Sequence, residues 1–235
     1  MRPNRAAQAL AEASSAMTRA HDTAGALTAL LRSCRAGLEV DAGGILVAQG
    51  GRLELLASSS HRAAELETHQ LNLHEGPCIQ AKNTGKIVQA HASGDLRHRW
   101  PNFSRAMLAA GFSSVHAAPL SFQGSTIGAM GLFRRADAPF TSDEDAIAQA
   151  FADIATILLF NVDEIPNQLV AQRLQQALAS RVLIEQVKGV LADSHNISVA
   201  EAFELLVDTA NELNQSLTDW AAQVIQHAQV PPAGH

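Results

Sequence analysis

Residues 178–191 read Leu-Ala-Ser-Arg-Val-Leu-Ile-Glu-Gln-Val-Lys-Gly-Val-Leu, and the rest of the chain is best interpreted from this stretch. Its apolar residues recur at helical spacing, which predicts a helix packed on one side. Two basic residues, Arg181 and Lys188, border the apolar stripe. Glu185 precedes Lys188 by three residues rather than the favoured four, so we expect Lys188 to be free to bind another group.

Length and composition limit the class of protein. A chain of 235 residues accommodates two small domains, and its net charge of −6 argues against bulk electrostatic coating of nucleic acid. No apolar run approaches the roughly 18 residues of a membrane span, and the polar N-terminus does not resemble a signal peptide. We therefore expect a soluble, cytoplasmic protein. Cys34 and Cys78 provide neither a disulfide framework nor a zinc site.

Residues 1–36 show helical periodicity throughout and predict one long amphipathic helix that ends at Gly37. Residues 37–163 then alternate between strand and helix patterns. The expected strands are 39–48, 52–58, 86–90, 113–122 and 126–133, and Gly43 and Gly44 suggest a bulge or a close approach in the first. This order predicts an α+β fold, with one antiparallel sheet flanked by helices.

Several short motifs lie within this region: Glu75-Gly76-Pro77-Cys78, Arg99-Trp100-Pro101, Gly111-Phe112, Pro119-Leu120 and Ile127-Gly128-Ala129. Together they resemble the GAF family of small-molecule sensor domains over about residues 20–162. The chain looks most like the actinobacterial subgroup in which a GAF domain is fused to an RNA-binding tail. The resemblance implies a sensor domain, here assigned to residues 37–163.

The C-terminal part is helical. A connector over 164–177 leads to three helices over 178–229, all-α, and to a short tail at 230–235. The residues Ser180-Arg181, Ile184-Glu185-Gln186, Lys188-Gly189, Ala202-Phe203 and Asn214 resemble the ANTAR family over about 174–226. That family binds RNA hairpins and prevents transcription termination, usually as a dimer. The resemblance therefore implies a homodimeric antitermination regulator of nascent transcripts.

By this resemblance the RNA-binding residues are Arg181, Lys188, Gly189, Ala202, Phe203 and Asn214. Basic side chains on a helix edge can contact phosphate, and an aromatic ring can stack on an unpaired base. Phe203 is equally consistent with a core position. Residues 167–235 hold three basic and seven acidic residues, which departs from the basic surface expected of the family and weakens the predicted affinity.

A small-molecule pocket in the sensor domain is predicted from Trp100, Phe103, Phe112, His116 and Met130, because such pockets are mostly apolar with a few polar groups. The same residues are also consistent with ordinary core. Cys78 follows Pro77 at a helix start, where its pKa could be lowered and the thiol made redox-responsive. The sequence favours a buried, inert thiol over this, because free cysteine is among the most buried residue types.

The histidines lack ligand spacing and no catalytic motif is present, so the sequence predicts no enzyme activity, no metal and no cofactor. The leading hypothesis is a sensor that controls RNA binding by changing the packing of its flanking helices. The alternative is a ligand-sensing protein-interaction module, whose ANTAR-like tail dimerises or docks a protein. Isolated charges among carboxylates around Arg181 and Lys188 would favour this alternative.

Overall fold

The computed structural model describes residues 3–19, 22–160 and 167–229. Two helices begin the chain, α1 (Pro3–Arg19) and α2 (Thr23–Leu38). They lie side by side: Arg5 near the start of α1 pairs with Glu39 at the end of α2, and Gly37 packs against Ala9. The prediction of one continuous helix over 1–36 is therefore wrong. Asp22 accounts for the new start, because its carboxylate accepts a hydrogen bond from Gly25 N at 2.7 Å and caps α2.

Fifteen described helices and strands include five strands that form one antiparallel sheet of order β2-β1-β5-β4-β3. The elements after α2 are β1 (Ala42–Gln49), β2 (Arg52–Ser58), α3 (His61–Leu73), α4 (Pro77–Thr84), β3 (Val88–His91), α5 (Leu96–Arg99), α6 (Pro101–Ala109), β4 (Ser114–Phe122), β5 (Ser125–Arg134) and α7 (Ser142–Phe160). The predicted α+β fold is confirmed. Gly50 and Gly51, both with positive φ, make the tight turn between β1 and β2.

Helices cover both faces of the sheet. One core is formed between the sheet and α1, α2 and α7, around Leu27, Phe151 and Phe160. The other is formed between the sheet and α3–α6, around Phe103 and Phe133. A capping box begins α7, since Glu144 Oε2 accepts from Thr141 N at 2.8 Å. Residues 22–160 are called the sheet domain below.

Three helices follow: α8 (Asn167–His195), α9 (Val199–Glu212) and α10 (Leu217–Gln229). A third core, around Val187, Leu206 and Ala221, joins them into what we call the three-helix unit, residues 178–229. A capping box formed by Ser198 and Glu201 begins α9. Helix α8 runs without interruption from residue 167 of the predicted connector into the unit, so the described part of the connector and the first helix of the unit are one continuous element. Residues 164–166 of the predicted connector lie outside the described residues.

Glu67 of α3 lies fully buried over the middle of the sheet, where β1 and β5 carry the paired glycines Gly44 and Gly131. A Cβ atom at Gly131 would lie 2.2 Å from Glu67 Oε1, so glycine is required for this approach. The predicted close approach in β1 is thus explained by a carboxyl group. Burial raises the pKa of Glu67 to about 8, despite hydrogen bonds from Cys78 and Gln70 that lower it.

The raised pKa predicts a pH dependence of stability. The neutral form of Glu67 is favoured on folding, so its contribution is fully present below the ordinary pKa of 4.5 and is lost as pH rises toward about 8. Chemical denaturation of Glu67→Gln should give a free energy of unfolding that lacks this decline, whose slope is at most about 1.4 kcal/mol per pH unit. Glu65→Gln, on the exposed side of α3, is the matched control. Parallel pH profiles for wild type and Glu67→Gln would contradict the assignment.

Candidate nucleic-acid interface

Lys188 is not free. Its side chain is only 5% exposed, and Nζ donates to both carboxylate oxygens of Glu185, at 3.0 and 2.9 Å. The ammonium also lies 5.2 Å from the centroid of the Phe203 ring. The expectation that a spacing of three leaves Lys188 unpaired is therefore wrong. The four-carbon stem reaches back one turn, and burial beside Phe203 holds the ammonium and the carboxylate together.

Arg181 lies further toward the N-terminus of α8 and is half-buried. Within the described ranges no hydrogen bond or ion pair holds its guanidinium, in contrast to Lys188. Burial lowers the pKa of Arg181, while the carboxylates of Glu185 and Glu54 oppose this shift from beyond hydrogen-bonding distance. The guanidinium stays charged at neutral pH and retains its donors for another group.

The other four predicted RNA-binding residues occupy different environments. Ala202 is fully buried in the core of the three-helix unit, and Gly189 is exposed, with open space where a side chain would lie. Asn214, exposed and with φ of 52°, forms the turn between α9 and α10. Phe203 is half-buried: it packs against the core and also presents its ring beside Lys188. The structure thus brings together Arg181, Lys188 and Phe203, and leaves Gly189, Ala202 and Asn214 apart from them.

These three side chains face the sheet domain across a cavity of about 330 Å³, which we call the interdomain cleft. Its wall on the three-helix unit comprises Arg181, Ile184, Glu185, Lys188 and residues 199–201, 203 and 204. Its wall on the sheet domain comprises Ala24, Thr28 and residues 56–61. These three of the six residues predicted to bind RNA are therefore covered, in this arrangement, by the end of β2 and by α2.

Polar contacts join the sheet domain to the three-helix unit beside the cleft. Arg32 of α2 pairs with Glu204 and, at 3.9 Å, with Asp208, both on α9. Asp22 accepts a hydrogen bond from Thr218 N at 2.7 Å through the carboxylate oxygen that does not cap α2. The sequence contains the signal for Asp22 as a helix cap, but nothing local in it indicates these partners, which are about 170 to 200 residues away.

The five residues of the predicted ligand pocket do not lie together. Trp100, Phe103 and Phe112 pack into the core on the α3–α6 side of the sheet, whereas Met130 packs into the core on the α7 side. His116 also faces α7, where its Nε2 lies 2.9 Å from Asp145 Oδ1. All five are buried, at 6% exposure or less. The prediction that they line one pocket is wrong, and the alternative of ordinary core describes them.

His116 and Cys78, two titratable groups of the sheet domain, are buried in environments that favour their neutral forms. Burial lowers the pKa of His116, so the neutral ring is favoured and donates to Asp145. Cys78 is fully buried, and burial followed by the charge of Glu67 raises its pKa well above the ordinary value. A thiol in that environment is mostly protonated, which supports the inert thiol over the redox-responsive one.

The described residues include no group of three potential metal ligands, and none of the described helices is long and apolar enough to cross a membrane.

Comparison with solved structures agrees with the architecture of the sheet domain. The GAF domain of a phosphoenolpyruvate-protein phosphotransferase from Coxiella burnetii matches with a TM-score of 0.52 and 15% identity, over 77% of this chain and 99% of that one. The corresponding domain from Acinetobacter matches with a TM-score of 0.53 and 15% identity, over 71% and 100%. These likenesses show the fold alone. No curated protein matches the chain.

Family models identify both parts of the molecule. The model of the ANTAR domain matches residues 172–225, which contain most of α8, all of α9 and most of α10. The model of the GAF domain matches residues 22–159, from the cap of α2 to the end of α7, and so covers more than half of the sequence. The chain therefore belongs to the GAF domain family, with the sheet domain as its GAF domain, and carries an ANTAR domain after it.

Proposed function

We propose that this protein is a cytoplasmic, non-enzymatic regulator of the actinobacterial type that binds RNA hairpins in nascent transcripts, prevents transcription termination and is controlled by its GAF domain. The observation that carries the proposal is the position of the ANTAR residues Arg181, Lys188 and Phe203, which meet at one cleft and are covered there by the sensor domain. Two cations and an aromatic ring in one place suit an unpaired RNA loop.

The cleft also explains how sensing would control binding. An RNA loop needs access to Arg181 and Phe203, and the β2 end and α2 occupy that space in the closed arrangement. RNA therefore binds the molecule only after the three-helix unit moves away from the sensor domain. A signal that favours this separation raises the fraction of molecules in the open arrangement. The apparent RNA affinity rises by the same factor as that fraction.

The weak positive charge of the ANTAR domain makes dimerisation part of the proposal. Residues 167–235 contain three basic and seven acidic residues, so a single copy can neutralise few phosphates. A homodimer doubles Arg181 and Lys188 and engages two hairpins or two parts of one. The exposed apolar side chains Val182 and Leu213, at 56% and 49%, provide surface that a second copy can cover.

Removal of the two cations should abolish RNA binding. We expect the double variant Arg181→Ala, Lys188→Ala to show at least a tenfold rise in Kd in filter-binding titrations against a pool of tandem RNA hairpins with randomised loops at 50 mM KCl. The slope of log Kd against log salt should fall by about 0.7 for each phosphate that the variant no longer neutralises. Arg105→Ala, at an exposed position of α6, is the matched control. Equal binding by wild type and the double variant would remove these residues from the RNA site.

Opening the interface should increase RNA affinity. Arg32→Glu replaces the attraction of Arg32 for Glu204 and Asp208 with repulsion and leaves the cleft walls intact. Since exposed ion pairs each contribute about 0.2–1 kcal/mol and reversal adds repulsion, we expect an affinity gain of roughly tenfold in the same titration. Arg105→Glu controls for the change in net charge.

A compensating variant makes the second test specific. Adding Glu204→Arg to Arg32→Glu restores an opposite pair. Because Glu204 also lines the cleft, the double variant is compared with Glu204→Arg alone, which should bind RNA more tightly than the double variant. If neither wild type nor Arg32→Glu binds any hairpin at 50 mM KCl, in monomer or dimer fractions, RNA binding is excluded as the function.

A protein-docking function is the second candidate, favoured by one observation. Glu185, Glu201 and Glu204 line the cleft with Arg181 and Lys188, so the two cations lie among carboxylates rather than in a continuous positive patch. Under this alternative the three-helix unit dimerises or docks a protein. The two candidates differ in salt dependence, because phosphate binding weakens steeply with salt and an apolar protein contact does not.

A further inference from the structure

The interdomain cleft has the size and lining of a small-molecule site. Its volume of about 330 Å³ falls at the lower end of the range for ligand pockets. Leu56, Ala57 and Ile184 supply apolar surface, and the half-buried Phe203 supplies a ring. This cavity lies between the sensor and the ANTAR domain, whereas the five residues predicted to line a sensor pocket are packed as core.

The charges around the cleft are paired in all but one case. Glu185 holds Lys188, and Glu204 holds Arg32. Glu201 is engaged by Ser198 in the capping box, and His61 pairs with Glu65 at 3.2 Å. Among the charged groups of the cleft walls, within the part of the chain that the structure describes, Arg181 alone has neither a hydrogen bond nor an ion pair.

A half-buried guanidinium that no described residue binds, in a cleft that Phe203 also lines, favours a particular class of ligand. Guanidinium binds a carboxylate through two parallel hydrogen bonds, and an aromatic body would pack against Phe203 and Ile184. The carboxylates of Glu185, Glu201 and Glu204 repel a second negative charge, which disfavours phosphate esters and dicarboxylates. One charge on the ligand matches Arg181, the one cation of the cleft walls that has no partner among the described residues.

We propose that the interdomain cleft binds a small aromatic monocarboxylate, whose carboxylate pairs with Arg181 and whose ring lies against Phe203. Because each domain supplies one wall, the ligand binds the closed arrangement and not the open one. Its binding therefore stabilises the contact between the sensor and ANTAR domains. Under the proposed function, on which this consequence rests, the ligand acts as a negative effector and RNA opposes its binding by the same factor.

The binding test uses benzoate as the probe and benzamide, its uncharged counterpart, as the control. At 10 mM, with acetate balancing ionic strength, benzoate should raise the Tm of the full chain by about 2–4 °C, and benzamide should not. Arg181→Met keeps the length and apolar stem of the side chain and should remove the shift. Arg105→Met should retain it. No shift with benzoate, an equal shift with benzamide, or an unchanged shift in Arg181→Met overturns the site.

The second measurement separates this proposal from the proposed function. Benzoate at 10 mM should weaken hairpin binding by wild type severalfold, and its effect on Arg32→Glu should be smaller because that variant populates the open arrangement. If benzoate raises the Tm in a way that depends on Arg181 but no variant binds RNA, the ligand site is supported and the RNA function is rejected. If RNA binding depends on Arg181 but benzoate does not raise the Tm, the RNA function is supported and the ligand site is rejected.

Discussion

Helix α8 contributes side chains to two hydrophobic cores, and the arrangement of the molecule depends on this constraint. Ala177 and Leu178 pack into the core between the sheet and α7, and Ile184 and Val187, two turns later, pack into the core of the ANTAR domain. A continuous helix fixes the distance and rotation between the two sets. The direction in which Arg181 points is thus determined by how Leu178 is buried. Uncovering the cleft requires either a bend in α8 or the removal of Leu178 from the sensor core, at about 1.5–3 kcal/mol for such a side chain.

The chemistry of Arg181 and Lys188 diverges although the two lie on one helical face, two turns apart. Lys188 has an acidic neighbour one turn earlier and a ring beside it, so its charge is already balanced. Arg181 is partly desolvated, and none of the described residues holds it by a hydrogen bond or an ion pair, although Glu185 and Glu54 attract it from a greater distance. A ligand or a phosphate gains more from pairing with Arg181 than with Lys188, because the latter must first give up Glu185. The number of cations that the domain can offer to a partner is therefore smaller than its sequence indicates.

Local signals in the sequence were enough for most of the fold. The capping boxes at Thr141 and Ser198, the Gly50-Gly51 turn and the alternating strands each act within a few residues, and the elements form where they predict. The site depended on contacts between distant residues. The pairing of Arg32 with α9, and the splitting of the predicted pocket across two faces of the sheet, follow from packing that no short motif reports. The break before α2 lies between these two cases. Asp22 is a local capping signal, but the helical pattern on both sides of it is continuous, so the pattern alone predicted one helix.

Asp22 links the folding of the two domains. One of its oxygens caps α2 of the sensor and the other accepts from the first turn of α10, so a single carboxylate satisfies backbone donors at the start of two helices. When the domains part, α10 loses that acceptor and its first turn is left to Ser216, which bonds Asp219 N. Under the proposed opening, we therefore expect the separated ANTAR domain to be less ordered at α10 than the docked one. The RNA that we propose as its partner would then supply the ordering free energy that the contact with Asp22 supplies here.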